Sequence, residues 1–152
     1  MKIRPATNED IGNLAHLMQI ADNRPKEWAQ TRIRSYLSEP EQEILVTENN
    51  ILIGYAGVKC FEDDHKTRKI IGDKINNYAC LTWVASHPDH RNQGVAKSLI
   101  EHCQTWSIEN GRTGMWLDCR KNLVAFYERL GFQKAGFYMD NKELRFVFVK
   151  EF

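Results

Sequence analysis

Arg91-Asn92-Gln93-Gly94-Val95-Ala96 stands where a segment that reads as a strand, Asn77 to Ser86, gives way to one that reads as a helix. The strand carries Tyr78, Leu81, Trp83 and Val84 and is broken by His87-Pro88-Asp89-His90. The helix carries Val95, Ala96, Leu99, Ile100, Cys103 and Trp106 at helical spacing, with Gly111 placed as its left-handed cap. The first backbone N–H groups of such a helix have no acceptor within it and point beyond its end, which suits a pyrophosphate. Gly94 removes a side chain where a phosphate must approach the backbone, small Ala96 lets the first turn pack closely, and Arg91 adds charge if it faces the ligand. A tight strand-to-helix turn with no ligand uses similar residues, so this stretch needs support from elsewhere in the chain.

Upstream, Ile3 opens an apolar-polar alternation, and Thr7 followed by Asp10 forms a capping-box pattern before Ile11, Leu14, Leu17, Met18 and Ala21. Pro25 starts a second helical segment with Trp28, Ile33, Tyr36 and Leu37, and Pro40 closes it. Glu43 to Thr47 and Ile51 to Lys59 read as strands paired through Glu48-Asn49-Asn50. The charged stretch Glu62 to Lys74 shows little periodicity and reads as an exposed loop or a protruding hairpin end. Downstream come a strand, Gly114 to Cys119, and a helix with Leu123, Val124, Phe126, Tyr127 and Leu130 that Gly131 ends. A hairpin then turns around Asp140-Asn141. The order is β-α-α-β-β-β-α-β-α-β-β, an α/β chain.

The length of 152 residues suits one domain spanning 1–152. Lysine and arginine (21) balance aspartate and glutamate (20), a net charge of +1 that supplies no global field for a polyanion, so nucleic acid is not an expected partner. No stretch reads as a secretory signal or a bilayer span, so the expectation is a cytoplasmic chain without a membrane partner. Cys60, Cys80, Cys103 and Cys119 form no C-x-x-C pair and read as buried thiols. His87 and His90 have a metal-like gap with no carboxylate or cysteine set beside them, so no metal is expected.

A second cluster, Asn122 to Phe132, places Asn122 at a helix start and Tyr127 five residues on. Each has a structural reading alone, an N-cap and a core tyrosine. The two clusters together, with a strand between them, resemble the GNAT superfamily of N-acetyltransferases. Its acyl-CoA signature is Arg or Gln, two variable residues, Gly, one residue, then Gly or Ala, matched by Arg91, Gly94 and Ala96. Ser86-His87-Pro88-Asp89, the Phe126-Tyr127 and Gly131-Phe132 pairs, and the opening Ile3-Arg4-Pro5-Ala6 are similar to that family as well.

The resemblance implies a mixed sheet, splayed between its fourth and fifth strands and flanked by helices on both faces. It implies acetyl-CoA as cosubstrate, with its pantetheine arm on the backbone of Val84, Ala85 and Ser86 and its pyrophosphate on Asn92, Gln93, Gly94, Val95 and Ala96 beside Arg91. Asn122 falls near the pantetheine, and Tyr127 beside the thioester sulfur, where a phenol can donate a proton or a hydrogen bond to the departing thiolate. The acceptor is then an amine, on a small molecule or a protein, attacking directly in a ternary complex.

Many members carry an acidic general base on the fourth strand, whereas Asn77 to Ser86 has no carboxylate. Asp73, Asp118 and ordered water are the alternatives for the proton. That gap also keeps a catalytically silent acyl-CoA-binding module open, while a P-loop reading lacks its Gly-Lys-Ser or Gly-Lys-Thr ending. Cys119 is close enough in sequence to serve as an acyl carrier, although amine attack needs none. Trp28, Tyr36 and Trp83 can line an acceptor cleft or a core, and Asp63, Asp64 and Asp73 can build a local acidic one. An edge strand near the C-terminus leaves a homodimer open.

Overall fold

The computed structural model describes residues 1–152. Its elements run β1 (Lys2–Pro5), α1 (Ile11–Asp22), α2 (Lys26–Ser38), β2 (Gln42–Asn49), β3 (Ile51–Lys59), α3 (His65–Ile71), β4 (Tyr78–Ser86), α4 (Val95–Glu109), β5 (Gly114–Cys119), α5 (Val124–Arg129), β6 (Gln133–Asp140) and β7 (Glu143–Glu151). The strands form one 7-stranded sheet in the order β1-β2-β3-β4-β5-β7-β6. The β1/β2, β2/β3, β5/β7 and β6/β7 pairs are antiparallel, and β4/β5 is parallel. β4 and β5 keep register only at their amino ends, Tyr78 to Cys80 against Gly114 to Trp116, and this is the splay of the sheet.

The chain divides into two compact units, Met1–Lys59 with Leu81–Thr105, and Cys60–Cys80 with Trp106–Phe152. In the first, strand alternation decides which helix each residue meets. Tyr55 of β3 joins Leu14, Leu17 and Met18 of α1 and Ala29, Ile33 and Tyr36 of α2 in one buried cluster. Its neighbour Gly54 faces the other way, where a Cβ would lie 2.5 Å from Val95 Cγ1 and 3.1 Å from Leu99 Cδ1 of α4. Helices therefore cover both faces, and α4 sits directly on the β3 backbone. The entry to α1 is fixed by Asp10, which accepts the Thr7 N–H at 2.8 Å and two of the three Arg4 guanidinium nitrogens at 2.8 and 2.9 Å. Arg4 holds its carboxyl down at about 2.

In the second unit, Ile75, Tyr78, Cys80 and Trp116 cluster on one side of the sheet. On β6 of the same unit, a Cβ at Gly136 would meet Ile70 of α3 at 2.7 Å. Phe148 of β7 lies fully buried against the ring of Tyr127 from α5, centroids 6.3 Å apart.

Part of the stretch expected as a charged loop is helix α3 followed by a 3-10 turn, Gly72–Asn77. Asp64 caps α3 by accepting the Thr67 N–H at 3.0 Å, and buried Thr67 shares a face with Ile70 and Ile71. Seven residues are too few for that period to stand out among so many charges.

Candidate functional site

The approach to α4 begins with the His87 N–H donating to Ile53 C=O at 2.7 Å, then a 3-10 turn at Pro88–His90. Asn92 (φ 62°) and Gly94 (φ 79°) both take the left-handed conformation, one residue apart. Alternation of this kind turns successive N–H groups toward one concavity, a common anion cradle. The first helical bond is the Ser98 N–H to Gly94 C=O at 3.0 Å, so the N–H groups of Val95, Ala96 and Lys97 have no acceptor within the helix. Nothing lies within 4 Å of where a Gly94 Cβ would stand. Arg91, Asn92, Gln93 and Gly94 are exposed, Val95 is buried and Ala96 half-buried. A fifteen-residue helix opening on an unobstructed glycine and unpaired amides fits a pyrophosphate.

Arg91 has a second task. One of its guanidinium nitrogens donates to Ala21 C=O at 3.0 Å, tying the turn to the carboxyl end of α1, where a cation also meets the helix dipole. Val84, Ala85 and Ser86 form the half-buried end of β4, beyond the stretch in register with β5. The residue that sequence reasoning missed is Gly54. It looked like one more position in an apolar strand, yet α4 could not seat over a side chain there.

Trp83 packs on Tyr36 with centroids 4.4 Å apart and on Trp28 at 6.2 Å, while the Tyr36 and Thr82 hydroxyls lie 2.6 Å apart. The three aromatics singled out in the sequence thus form one cluster. His87 and His90 rings meet edge-on at 5.5 Å, and His87 Nδ1 accepts the Asp89 N–H at 3.1 Å.

In the second unit Tyr127 is buried, its ring enclosed by Phe126, Phe132 and Phe148. No group of the chain hydrogen-bonds its hydroxyl. Burial pushes that hydroxyl well above the ordinary tyrosine range; nearby Cys119 and Asp118 add to the shift and Arg145 opposes it. The phenol is therefore a protonated donor at any working pH. Burial likewise pushes the Cys119 thiol up to about 11. Asn122 does not cap α5: it is exposed within the 3-10 turn Lys121–Leu123, and Leu123 takes the N-cap position. The turn that precedes α5 shifts the helix start past the asparagine.

The two carboxylates considered for the proton are both engaged. Asp118 receives Arg145 through two guanidinium nitrogens and the Tyr138 hydroxyl at 2.8 Å. Asp73 is almost fully exposed and accepts from Arg68 at 3.4 Å. Arg68 also donates to Asp63 at 2.9 Å, and Asp64 accepts the Thr67 N–H as the α3 cap.

The model of the acetyltransferase (GNAT) domain matches residues 40–134. The chain belongs to the GNAT acetyltransferases. The family's acyl donor is acetyl-CoA. Among curated proteins, the [ribosomal protein bS18]-alanine N-acetyltransferase of Escherichia coli (strain K12) is 26% identical over 129 residues, 83% of this chain and 76% of that protein. The crystal structure of the Escherichia coli ribosomal-protein-S18-alanine N-acetyltransferase superposes with a TM-score of 0.75 at 21% identity, covering 99% of this chain and 92% of that one. An aminoglycoside 6'-N-acetyltransferase complexed with coenzyme A gives 0.79 at 13% identity over 99% and 97% of the two chains. No group of three or more His, Cys, Asp or Glu side chains is arranged to hold a metal, and no helix is long and apolar enough to cross a membrane.

Proposed function

We propose that residues 1–152 act as one acyltransferase domain that moves the acetyl group of acetyl-CoA directly to an amine, a protein amino terminus being the favoured acceptor. The observation that carries the reading is the start of α4, where left-handed Asn92 and Gly94 precede amides with no helical acceptor and open space over Gly94. The acceptor class is supported by the Escherichia coli relative, which is named for acting on an alanine of a ribosomal protein.

Acetyl-CoA supplies an activated thioester carbonyl, and the chain supplies the rest. The backbone of Val84, Ala85 and Ser86 aligns the pantetheine arm as an added strand would, and amides near Val84 stabilise the developing oxyanion. Amides of Asn92 to Ala96 bind the pyrophosphate, and Asn122 contributes toward the arm from an exposed position. Tyr127, which burial keeps protonated, donates a hydrogen bond to the departing thiolate, and the thiolate takes its proton from water. Both oxygens of Asp118 are occupied, one by the Arg145 guanidinium and one by the Tyr138 hydroxyl, so the amine proton leaves to water.

Isothermal calorimetry with acetyl-CoA tests the cradle, and thiol release across peptides, polyamines and small amines tests turnover. Binding at 1:1 that Gly94→Glu abolishes, with thiol released for some amine, supports the proposal. Absence of binding by the parent overturns it. Binding with silence toward every amine replaces it with the acyl-CoA-binding module.

A further inference from the structure

The turn between α1 and α2 is built rigidly. Asn23 (φ 52°) donates its N–H to Gln19 C=O at 3.0 Å and Arg24 donates its N–H to Met18 C=O at 3.2 Å, a six-to-one closure that fixes the residue leaving the helix. Pro25 then starts α2 at once. Two exposed guanidiniums each lie against the indole of Trp28, Arg24 at 4.6 Å and Arg32 at 5.4 Å from its centroid. Arg24 shares its Nε with Asp22 at 2.8 Å, whereas no carboxylate of the chain pairs with Arg32. Residues 22–38 hold four cations, Arg24, Lys26, Arg32 and Arg34, against Asp22 and Glu27. Trp28 leans on Trp83, which directly precedes Val84 on β4.

Asp22 offsets the charge of Arg24, whereas the guanidinium of Arg32 rests on the indole without a carboxylate beside it. A carboxylate beside either guanidinium gains a charge-assisted hydrogen bond, and Arg32, with no carboxylate of its own, gains most. Resting on the acyltransferase reading above, we infer that the acceptor is a peptide amino terminus followed by acidic residues, whose carboxylates Arg24 and Arg32 bind over Trp28. The amine is then delivered along the aromatic path from Trp28 through Trp83 toward β4.

The test compares kcat and KM for peptides beginning Ala-Asp-Glu, Ala-Gly-Gly and Ala-Lys-Lys, with free glutamate as the small-molecule carrier of the same charge. We expect the acidic peptide to exceed the basic one by about tenfold in kcat/KM, a preference that falls away near ~1 M salt, where screening reaches ~3 Å. Arg32→Glu should raise KM for the acidic peptide about five- to tenfold at nearly unchanged kcat and leave Ala-Gly-Gly untouched. Arg24→Gln with Arg32→Gln, both mild on an exposed surface, should give the same loss without introducing a negative charge. Basic or neutral peptides preferred by the parent, a KM indifferent to Arg32→Glu, or equal losses on all three peptides would overturn the assignment. So would a preference for glutamate over the acidic peptide. Thiol release with Ala-Gly-Gly alone preserves the acyltransferase reading while removing this one, and silence with every acceptor removes both.

Discussion

Replacing Gly54 by alanine places one methyl group beneath the first turn of α4. The new Cβ would stand 2.5 Å from Val95 Cγ1, 3.1 Å from Leu99 Cδ1 and 3.3 Å from Ala85 C=O, when ordinary contact begins at 3.4 Å. Val95 is branched at Cβ and stiff about χ1 within a helix, so it cannot swing aside cheaply. Relief requires α4 to lift by about 1 Å, and overpacking of this kind costs ~1–3 kcal/mol, offset by several tenths from the reduced freedom of the unfolded chain. For a chain of this size each ~1 kcal/mol lowers Tm by ~2–4 °C, so a fall of about 2–8 °C is expected in thermal unfolding. The lifted helix carries the amides assigned to the pyrophosphate, and calorimetry should find acetyl-CoA bound about tenfold more weakly. Val95→Ala alone loses buried methyl groups at ~1–2 kcal/mol, but in the double variant it vacates the space the alanine needs. The cycle should therefore show ~1–2 kcal/mol of favourable coupling. A Gly54→Ala protein as stable as its parent, or a strictly additive cycle, would refute the close approach as the reason for the glycine.

Three further outcomes follow from single groups. Tyr127→Phe should lower kcat by ~10²- to 10⁴-fold at nearly constant acetyl-CoA affinity, and near-normal turnover at saturating substrates would end the leaving-group assignment. Cys119, with its thiol pushed up to about 11 by burial, should resist alkylation at neutral pH, and Cys119→Ala should keep full turnover; an acetylated Cys119 in mass spectra of the working enzyme would contradict direct transfer. Asp10 titrates at about 2 in the folded chain against an ordinary 3.8, so its ionised form stabilises the fold above the ordinary value and that contribution disappears as pH falls through about 2. Asp10→Asn should cost about 2 kcal/mol in denaturant unfolding at pH 7, with the gap closing in acid; a gap that ignores pH would show that the charge is not its source.

Local chemistry wrote much of this fold into the sequence, because it depends on residues near one another. Gly111 and Gly131 do take left-handed φ values of 75° and 91° where helices end, and Asn50 does so at 65° between β2 and β3. At the last hairpin the left-handed pair is Asn141 and Lys142, one step past the Asp140-Asn141 expected, since β6 keeps Asp140 within its ladder. What stayed hidden depends on partners distant in the chain. Gly54 is explained only by Val95 and Leu99, some forty residues on, and the split duty of Arg91 only by Ala21. The state of Asp118 is set by Tyr138 and Arg145, which no local pattern announces. For the site, the signature turn was readable because its glycine and helix start are contiguous, whereas burial of Tyr127 comes from Phe132 and Phe148.

The chemistry assigned to this chain requires two kinds of surface beside one another, and a β-strand provides them through its period of two. On β4, Trp83 turns to the α2 side, where it meets Trp28 and Tyr36, and Val84 therefore turns to the opposite face while its backbone is offered at the strand edge. On β5, Asp118 meets Arg145 and Tyr138 on one face, so the next residue, Cys119, turns to the other, and both residues act on the buried Tyr127 hydroxyl. Adjacent positions of each strand thus meet different neighbours. Acceptor recognition and departure of the thiolate need such contrasting environments, since an amine must be drawn from water while a buried phenol must keep its proton. A one-residue insertion in β4 ahead of Trp83 would exchange its two faces at once, whereas a two-residue insertion would restore the alternation. Pairing of Tyr78 to Cys80 with β5 limits how far the strand could slip to absorb either change, so the division between faces is carried by register as much as by the side chains themselves.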